Sequence, residues 1–452
     1  ATADFVCKDG CKVDGGGILR WVNLDLISQT LVNVEEKTDV KGAPAADYEE
    51  DMMSDEASFK VAINSNSFSK VDSIAWNGVM QGAYPGCRVL VAKDGWVVYD
   101  KAFGSLDWND SQAVDQNTVY DLASITKVAS GTLAAMKLVD EKKLDVNKTL
   151  GDYLDIPQDN VYSKVVIKEM LAHTAGFTAW IPFYTKTMSD GVLDPSIYKT
   201  APERGFSNQV ADGIYIKDDY KSEMMKQVLE TPISADKTYK YSDLAFYFTQ
   251  ELVEKISNQP LDQYVTNHFY KPMGLHTIGY KPLERMDKKV IAPTENDKVF
   301  RDQHITGYVH DQGAAMLGGV AGHAGLFSNA QDLAAIMQML MNKGVYGDKT
   351  YISNETIRLF NTRHFAGNRR GLGFDKPAFS KGTGSSCAQA SSDSFGHTGF
   401  TGTMCWADPE TGIVYIFLSN RVNPDAENKK LLQLDIRTRI QSEVYRVLGY
   451  AK

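Results

Sequence analysis

The 452-residue sequence predicts an α+β fold, in which an antiparallel sheet is flanked by helices and carries an all-helical subdomain as an insertion. Three observations support this prediction: two adjacent strand-like runs near residue 90, a long stretch of mainly helical periodicity, and two strand-like runs near residue 410 that precede a last helix. Strands from both ends of the chain can be neighbours in one antiparallel sheet, and the helical stretch between them then forms the insertion.

The first 66 residues differ from the rest of the chain. They contain a triple glycine at 15–17, an alternating run that begins at Val22 and an acidic stretch that begins at Asp47. This pattern predicts a strand-bearing arm followed by a solvated linker, and it assigns the arm no function. Residues 67–452 then form one domain, with an α/β part at 67–125 and about 325–452 and a helical insertion at about 126–324.

The domain begins with a short amphipathic segment from Val71, which two strand-like runs follow. A turn at Asp94 and Gly95 separates these runs, and Asp-Gly between two apolar runs is typical of a β-hairpin.

Apolar residues recur at helical spacing after Ser124, and further helical blocks begin near Tyr241 and Ser328. The last predicted elements are two strands and a helix, within 404–409, 412–420 and 431–449.

The charge balance argues against nucleic acid as a partner. Asp and Glu number 57 against 48 Lys and Arg, which gives a formal net charge of −9 at pH 7. A phosphate backbone is bound through basic patches, and this balance does not supply them. The sequence contains no apolar run of about 18 residues, and its first residues lack the pattern of a signal peptide. We therefore expect no membrane span, although a mature exported protein would have the same appearance.

The cysteines do not predict a metal site. Cys7 and Cys11 could close a small disulfide loop or supply two thiolates, but no second pair or nearby histidine completes a zinc set. Whether these two are bonded stays open. Cys87 and Cys405 lie in apolar strand-like runs, and we expect them to be small buried hydrophobic residues.

Ser124 and Lys127 stand three residues apart at a predicted helix start. Residues at this spacing share one face of a helix, so the hydroxyl and the amine can touch. A serine hydroxyl becomes a nucleophile when a base takes its proton, and a lysine can be that base if burial and positive potential lower its pKa. The pair alone is weakly specific, because Ser and Lys are common on the first turns of helices.

Two later segments make the pair more specific. Tyr241, Ser242 and Asp243 open a helical block, and the run His397-Thr398-Gly399 leads into a strand. In this order after Ser-x-x-Lys, the segments resemble the Tyr-x-Asn and Lys-Thr-Gly motifs of the serine β-lactamase and penicillin-binding protein superfamily.

The sequence resembles most closely the branch akin to class C β-lactamases, which includes esterases and D-amino-acid-directed peptidases. The similarity covers roughly residues 70–450, and the segments MLAHTAGF, YKPMGLHTIGY and HDQGAAMLGGVAGHAGLFSNAQDLA support it. Within this branch, the sequence is similar to bacterial members thought to act in cell-wall turnover. The resemblance implies the β-lactamase/transpeptidase-like fold, and with it we expect a periplasmic or extracellular location.

The resemblance also implies roles for individual residues. Ser124 would be the acylated nucleophile and Lys127 its proton acceptor and relay. Tyr241 would act as a phenolate or pass a proton to the leaving group. The backbone N–H groups of Ser124 and Phe400 would bind the oxyanion, and the small Gly399 would let the substrate lie close to the strand edge.

Two departures from the class C pattern concern the substrate. Asp243 stands where class C enzymes have Asn, so that an acceptor replaces a donor. His397 stands where they have Lys, which weakens binding of a substrate carboxylate. With Thr398 and Gly399, these are the predicted substrate-binding residues. The changes favour an ester, or a peptide that carries a donor, over a β-lactam.

A second interpretation of Asp243 stays open. Its carboxylate could pair with Lys127, keep that lysine charged and shift the role of base to Tyr241.

Other candidates are weaker. The family-like segments contain His173, His310 and His323, for which we expect hydrogen-bonded structural roles. His310 and Asp311 do not form a convincing metal pair, because adjacent residues on an extended chain point in opposite directions. No G-x-S-x-G motif supports a Ser-His-Asp triad. The aromatic segment from 177 to about 220 is either a packed surface loop or a wall of the substrate cleft; its aromatic residues include Trp180, Phe183, Tyr184 and Tyr215.

The sequence therefore predicts a serine hydrolase that works through an acyl-serine intermediate without metal or organic cofactor. Carboxylesterase is the first choice of activity, and a D-amino-acid peptidase or weak β-lactamase is the alternative. The expected partner is a small ester, peptide or β-lactam substrate. The oligomeric state is open, with the amino-terminal arm as one place where a second copy could bind. A hypothesis of another class is a module that binds penicillin or muropeptides without turnover.

Overall fold

The computed structural model of the chain describes residues 20–21, 67–380 and 382–450. Its central sheet has six strands, which we number in chain order: β1 Arg20–Trp21, β2 Gly86–Lys93, β3 Trp96–Gly104, β4 Phe395–Thr398, β5 Met404–Asp408 and β6 Ile413–Ser419. Their spatial order is β1-β3-β2-β6-β5-β4, with β1 parallel to β3 and every other pair antiparallel. Strands β2 and β6 are neighbours, which confirms the prediction that the sheet joins both ends of the domain.

The predicted hairpin is present as β2 and β3. Asp94 and Gly95, the two residues of its turn, have φ values of 50° and 81°. Two central residues with positive φ are typical of a type I′ turn, whose backbone twist matches the twist of the two paired strands. A bulge between Val91 and Ala92 interrupts the register of the pair.

The helices confirm the periodicity that was read from the sequence. We number them in chain order: α1 Ser69–Met80, α2 Leu133–Asp140, α3 Ile167–Leu171, α4 Tyr220–Glu230, α5 Leu244–Ser257, α6 Leu261–Val265, α7 Gln312–Met316, α8 Ala330–Met341, α9 Asn354–Asn361, α10 Lys430–Gln433 and α11 Ile436–Val447. Two π-helical stretches precede α2 and follow α6, at Lys127–Thr132 and Thr266–Tyr270. The predicted last helix is divided into α10 and α11 at Asp435, which has a φ of 49°.

The inserted stretch is mainly helical, and it also carries short strands that the sequence did not reveal. These form the ladders Met188–Ser189 with Val192–Leu193, Tyr198–Lys199 and Asn208–Ala211 with Ile214–Ile216, and Glu295–Asp297 with Gln303–Ile305. Strands of two to four residues are too short for an alternating pattern to stand out. The division of the chain at residue 66 and the bounds of the insertion stay predictions.

The sheet separates two apolar cores. Alternate residues of β6 point to opposite faces, so that Tyr415 and Phe417 pack towards α1 and α11, whereas Ile416 packs towards α8 and the inserted helices. Cys87 and Cys405 are fully buried, one in each core, as predicted. Cys7 and Cys11 lie outside the described residues. Within the described ranges, no helix has the length and apolar character needed to cross a bilayer.

Candidate active site

Ser124 lies at the turn between a short strand and a helix. The strand Tyr120–Asp121 ends just before it, and the π-helical stretch before α2 begins three residues after it. Ala123 has a φ of 47°, which is unusual for a residue with a side chain, and its N–H donates to the Asp121 carboxylate at 2.8 Å. This contact fixes the backbone that presents the Ser124 hydroxyl.

The three predicted side chains meet around this hydroxyl. The Nζ atom of Lys127 lies 2.9 Å from the Ser124 Oγ atom, and the Tyr241 hydroxyl lies 3.0 Å from the same oxygen. Nζ also contacts a carboxylate oxygen of Asp243 at 2.7 Å and the backbone carbonyl oxygen of His323 at 3.0 Å. Lys127 thus has three acceptors, which is the number that an ammonium group can satisfy.

The environment of Lys127 favours its charged form. The side chain is fully buried, and burial, the largest influence, lowers its pKa. The charge of the Asp243 carboxylate, followed by that of the Tyr241 oxygen, outweighs burial, so the pKa of Lys127 lies above its ordinary value. The second interpretation of Asp243, as the partner of Lys127, therefore matches the contact that the structure contains.

Tyr241 enters the site from the segment that precedes α5, which begins at Leu244, three residues after the sequence suggested. The N–H of Ser242 donates to Nδ1 of His173 at 3.2 Å, and the N–H of Asp243 donates to the carbonyl of Ala179 at 2.8 Å. Burial raises the pKa of the Tyr241 phenol, and the positive charge of Lys127 opposes this effect. His173 thus has the structural role that we expected.

The turn between β4 and β5 lies against the residues that lead into Ser124. The hydroxyl of Thr401 donates to the carbonyl of Asp121 at 2.7 Å, and the hydroxyl of Thr403 donates to the carbonyl of Leu122 at 3.0 Å. In the part of the chain that the structure describes, no group accepts the N–H of Ser124 or of Phe400. These two amides are therefore free to bind an oxyanion, the role that we predicted for them.

Gly399 is the point of closest approach between this turn and the nucleophile segment. A Cβ atom there would lie 2.1 Å from the Thr403 Oγ1 atom and 2.5 Å from the Leu122 carbonyl oxygen. We expect Gly399→Ala to lower the free energy of unfolding by about 1–3 kcal/mol and to lower kcat by at least about tenfold, because the turn must move away from Ser124. Urea unfolding and steady-state kinetics measure the two effects, and an unchanged kcat would contradict this account of the turn.

His397 lies beside Tyr241 and is buried. Its Nδ1 atom is 2.7 Å from the carbonyl oxygen of Thr398, and because a carbonyl only accepts, Nδ1 carries the proton. Burial, then the charges of Arg370 and Lys127, lowers the pKa of His397 to about 3. The side chain is 4% exposed, so the predicted substrate contact is a neutral imidazole with little surface for a substrate. The Thr398 side chain beside it is partly exposed.

The other two histidines, His323 and His310, lie close to the site, and the ring of each contacts a carboxylate. His323 contacts Asp311 at 2.8 Å and stacks on Tyr247, while its carbonyl accepts from Lys127. His310 contacts Glu295 at 2.7 Å, and its ring stacks on Phe400 with 4.9 Å between the ring centroids. Both therefore support the walls of the site.

Three further residues of this region were not predicted from the sequence: Asp121, Glu295 and Arg370. Asp121 accepts the backbone N–H groups of Ala123 and His310, and burial raises its pKa to about 6. Asp121 directly precedes the nucleophile segment, so its position was a usable signal. Glu295 and Arg370 belong to no local motif and come to the site only through the tertiary fold.

The aromatic segment is mostly packed. Phe183 is buried against Tyr247, and Tyr184 lies 5.4 Å from the ring of Phe300. Trp180 is 54% exposed and follows Ala179, whose carbonyl accepts the N–H of Asp243. The segment thus combines both interpretations, a packed loop with one exposed aromatic residue near the site.

No group of three or more His, Cys, Asp or Glu side chains suited to a metal ion occurs among residues 20–21, 67–380 and 382–450.

The chain is similar in sequence to members of a known family. The family model described as Beta-lactamase matches residues 71–438. A protein of Escherichia coli O157:H7 named "Putative D-alanyl-D-alanine carboxypeptidase" is 33% identical over 379 residues, covering 78% of this chain and 82% of the relative. A protein of Salmonella typhi with the same name is 31% identical over 399 residues, covering 82% of this chain and 87% of the relative.

Solved structures share the fold at lower identity. EstCE1, described as a hydrolase with promiscuous acyltransferase activity, is 19% identical with a TM-score of 0.60, and the match covers 83% of this chain and 99% of that chain. An octameric penicillin-binding protein homologue from Pyrococcus abyssi is 20% identical with a TM-score of 0.58, covering 81% of this chain and 77% of that chain. These similarities confirm the predicted β-lactamase/transpeptidase-like fold.

Proposed function

This chain belongs to the β-lactamase family of serine hydrolases, and on that premise we propose that it hydrolyses small carboxylic esters through an acyl intermediate on Ser124. The observation that carries the proposal is the contact of one hydroxyl with both Lys127 Nζ and the Tyr241 hydroxyl, at 2.9 and 3.0 Å. Both lie within the reach that proton transfer needs.

Because Lys127 is held in its charged form, the role of base falls to Tyr241. In acylation, the Ser124 oxygen attacks the ester carbonyl carbon while its proton moves to the deprotonated phenolic oxygen of Tyr241. The carbonyl becomes an oxyanion that accepts from the N–H groups of Ser124 and Phe400. The bond to the alcohol then breaks, and the alcohol leaves with the proton from Tyr241.

Deacylation repeats these transfers with water. A water molecule gives a proton to the Tyr241 oxygen and attacks the acyl carbon, and Ser124 then leaves with that proton as the free hydroxyl. The products are a carboxylic acid and the alcohol, and the phenolate is regenerated. Throughout the cycle the ammonium of Lys127 stabilises the negative charge on Tyr241.

The preference for esters rests on what Asp243 and His397 can offer a substrate. Asp243 is engaged with Lys127 at 2.7 Å, and an ionised carboxylate has no donor for a substrate amide carbonyl. His397 is neutral and buried, so it supplies no positive charge for the carboxylate of a β-lactam. An ester needs neither group, and an alcohol is a better leaving group than an amine.

The second candidate is cleavage of peptides that end in D-alanine, because relatives at 31–33% identity carry that name. We also propose that the protein works in the periplasm or outside the cell.

A further proposal concerns the oligomeric state: a second copy of the chain could bind through the amino-terminal arm.

A substrate panel tests the choice. We expect kcat/KM for p-nitrophenyl acetate and butyrate to exceed that for an N-acylated D-alanyl-D-alanine peptide and for a cephalosporin by at least about 10². A higher kcat/KM for the peptide would replace the ester by the second candidate. A stable adduct without multiple turnover would support the binding module instead.

The pH dependence tests the role of Tyr241. Its phenol must lose a proton before it can act as base, and burial raises its pKa above the ordinary value near 10. We therefore expect kcat/KM for an ester to rise about tenfold per pH unit from pH 6 upwards, because the deprotonated fraction grows by that factor. A profile that is flat above pH 6 would contradict the assignment of the base.

A further inference from the structure

Two buried cations lie against the ring of Tyr241. The Nζ atom of Lys127 is 5.2 Å from the ring centroid, and the guanidinium carbon of Arg370 is 5.7 Å from it. The charged and titratable side chains near this residue come from several elements: Lys127, Asp243, His173, His397 and Arg370. Burial is the largest influence on the pKa of each of the two histidines, and it lowers both values. Both histidines are therefore neutral at neutral pH.

Backbone contacts hold the segment of Arg370 in this place. The Arg370 N–H donates to the side chain of Asn368, whose amide donates to the carbonyl of Ala172. A little further along, Asp375 and Gly396 exchange two backbone hydrogen bonds of 2.9 Å. Arg370 is thereby fixed between the segment of His173 and the strand that carries His397.

Arg370 shares its counter-ion, Asp375, with Arg369. Arg369 donates to Asp375 through Nε at 2.7 Å and through a second nitrogen at 3.0 Å. Arg370 approaches the same carboxylate only to 3.5 Å, and its Nε atom has no acceptor in the described part of the chain. Two guanidinium groups thus share one carboxylate, and one positive charge remains.

The contact of Arg370 with His173 does not compensate that charge. Nδ1 of His173 accepts the N–H of Ser242, so the neutral ring carries its proton on Nε2. The guanidinium nitrogen lies 3.5 Å from this Nε2 atom, and two donors face each other there. The uncompensated charge is therefore free to act on the Tyr241 ring, where a cation is attracted to the face of the aromatic system.

We propose that Arg370 supplies the positive charge that His397 does not, and that it is a positioning residue that acts on proton transfer through Tyr241. Arg370 is 2% exposed, so it cannot bind the carboxylate of a substrate. A second cation thereby stabilises the phenolate of Tyr241, and this cation is not exposed to the substrate in the cleft. This inference rests on the proposed function, and it explains how a family member with the neutral His397 in place of the motif lysine retains acyl transfer while favouring uncharged esters.

The experiment compares the pH profiles of Arg370→Gln and Arg358→Gln with that of the parent, using p-nitrophenyl acetate. Removal of an opposite charge from the surroundings of a titrating group shifts its pKa by about one unit or more, and the Arg370 guanidinium carbon lies 5.7 Å from the centroid of the Tyr241 ring. In the pH profile of kcat/KM, we expect Arg370→Gln to shift the rising acid limb to higher pH by about one unit. The value of kcat/KM at pH 7 should then fall about tenfold, and KM should be unchanged. The control, Arg358→Gln, removes an exposed guanidinium from α9, and its profile should coincide with that of the parent.

A rescue separates charge from packing. In the Arg370→Gln background, His397→Lys places a new cation beside Tyr241 and should return the limb towards that of the parent. Arg370→Lys should keep the limb within about 0.3 pH units, and Arg370→Met, which also lacks the charge, takes the place of the Gln variant if that variant does not fold.

Two outcomes would overturn the inference: coincident profiles for Arg370→Gln and the parent, or a limb raised by a full unit in Arg370→Lys. Either could occur while the parent hydrolyses the ester normally, so failure of the inference is distinct from failure of the proposed function.

Discussion

Ser124→Ala should lower kcat/KM for every accepted ester by at least about 10⁴-fold, because the chain then lacks the oxygen that forms the acyl bond. The free backbone amides and the neighbouring Lys127 and Tyr241 remain in the variant, so only a small residual rate over water is expected. Steady-state kinetics with a p-nitrophenyl ester and labelling by a fluorophosphonate probe measure the loss. We expect both turnover and labelling to disappear.

The matched control for this variant is Ser73→Ala on α1, where the exposed hydroxyl donates only to the carbonyl of Ser69. This variant should keep parental turnover and labelling. Normal hydrolysis by Ser124→Ala would show that another group is the nucleophile, and the proposed mechanism would have to be abandoned.

The second large effect concerns Tyr241. Tyr241→Phe removes the oxygen that lies 3.0 Å from Ser124 Oγ and retains the ring, so that packing against His173 is preserved. General acid–base groups contribute about 10²–10⁴ to enzymatic rates, and we expect kcat/KM to fall by at least about 10². The residual activity should also lose the rise of kcat/KM with pH. A pH series with one ester measures both changes.

Tyr239→Phe is the control, since Tyr239 is an exposed phenol two residues earlier on the same segment. Its rate and pH profile should match those of the parent. If Tyr241→Phe kept the parental profile, the base role would return to Lys127, and the charge state inferred from the Asp243 contact would be wrong.

The pairing of Lys127 with Asp243 distinguishes this site from the class C pattern that the sequence resembles. An amide at position 243 would leave the lysine without a counter-ion, whereas the carboxylate at 2.7 Å keeps it protonated. The same exchange removes a donor for the substrate. In the proposed mechanism, this one difference at position 243 accounts both for Tyr241 as the base and for the preference for esters.

Local patterns in the sequence predicted the elements that depend on local physics. Asp94-Gly95 predicted the hairpin because only a few residues tolerate its backbone angles, and the spacing of Ser124 and Lys127 predicted their contact because it follows from helix geometry. The family-like motifs then indicated which distant segments, those of Tyr241 and His397, belong to the same site.

Features that depend on tertiary packing were not predictable. The sequence left two roles open for Asp243, and only the folded chain brings its carboxylate to Lys127. The burial of His397 and the approach of Arg370 to Tyr241 depend on the paired backbone of Asp375 and Gly396. No local periodicity encodes such contacts, because each involves segments that are far apart in the chain.

Mass spectrometry of the enzyme during turnover tests the central claim most directly. The protein is mixed with a p-nitrophenyl ester, quenched in acid within the first turnovers, and analysed intact and after digestion. We expect one added acyl group, located on the peptide that contains Ser124, and its decay at the rate of turnover. Steady hydrolysis with no adduct on Ser124, or with the acyl group on another side chain, would contradict the account.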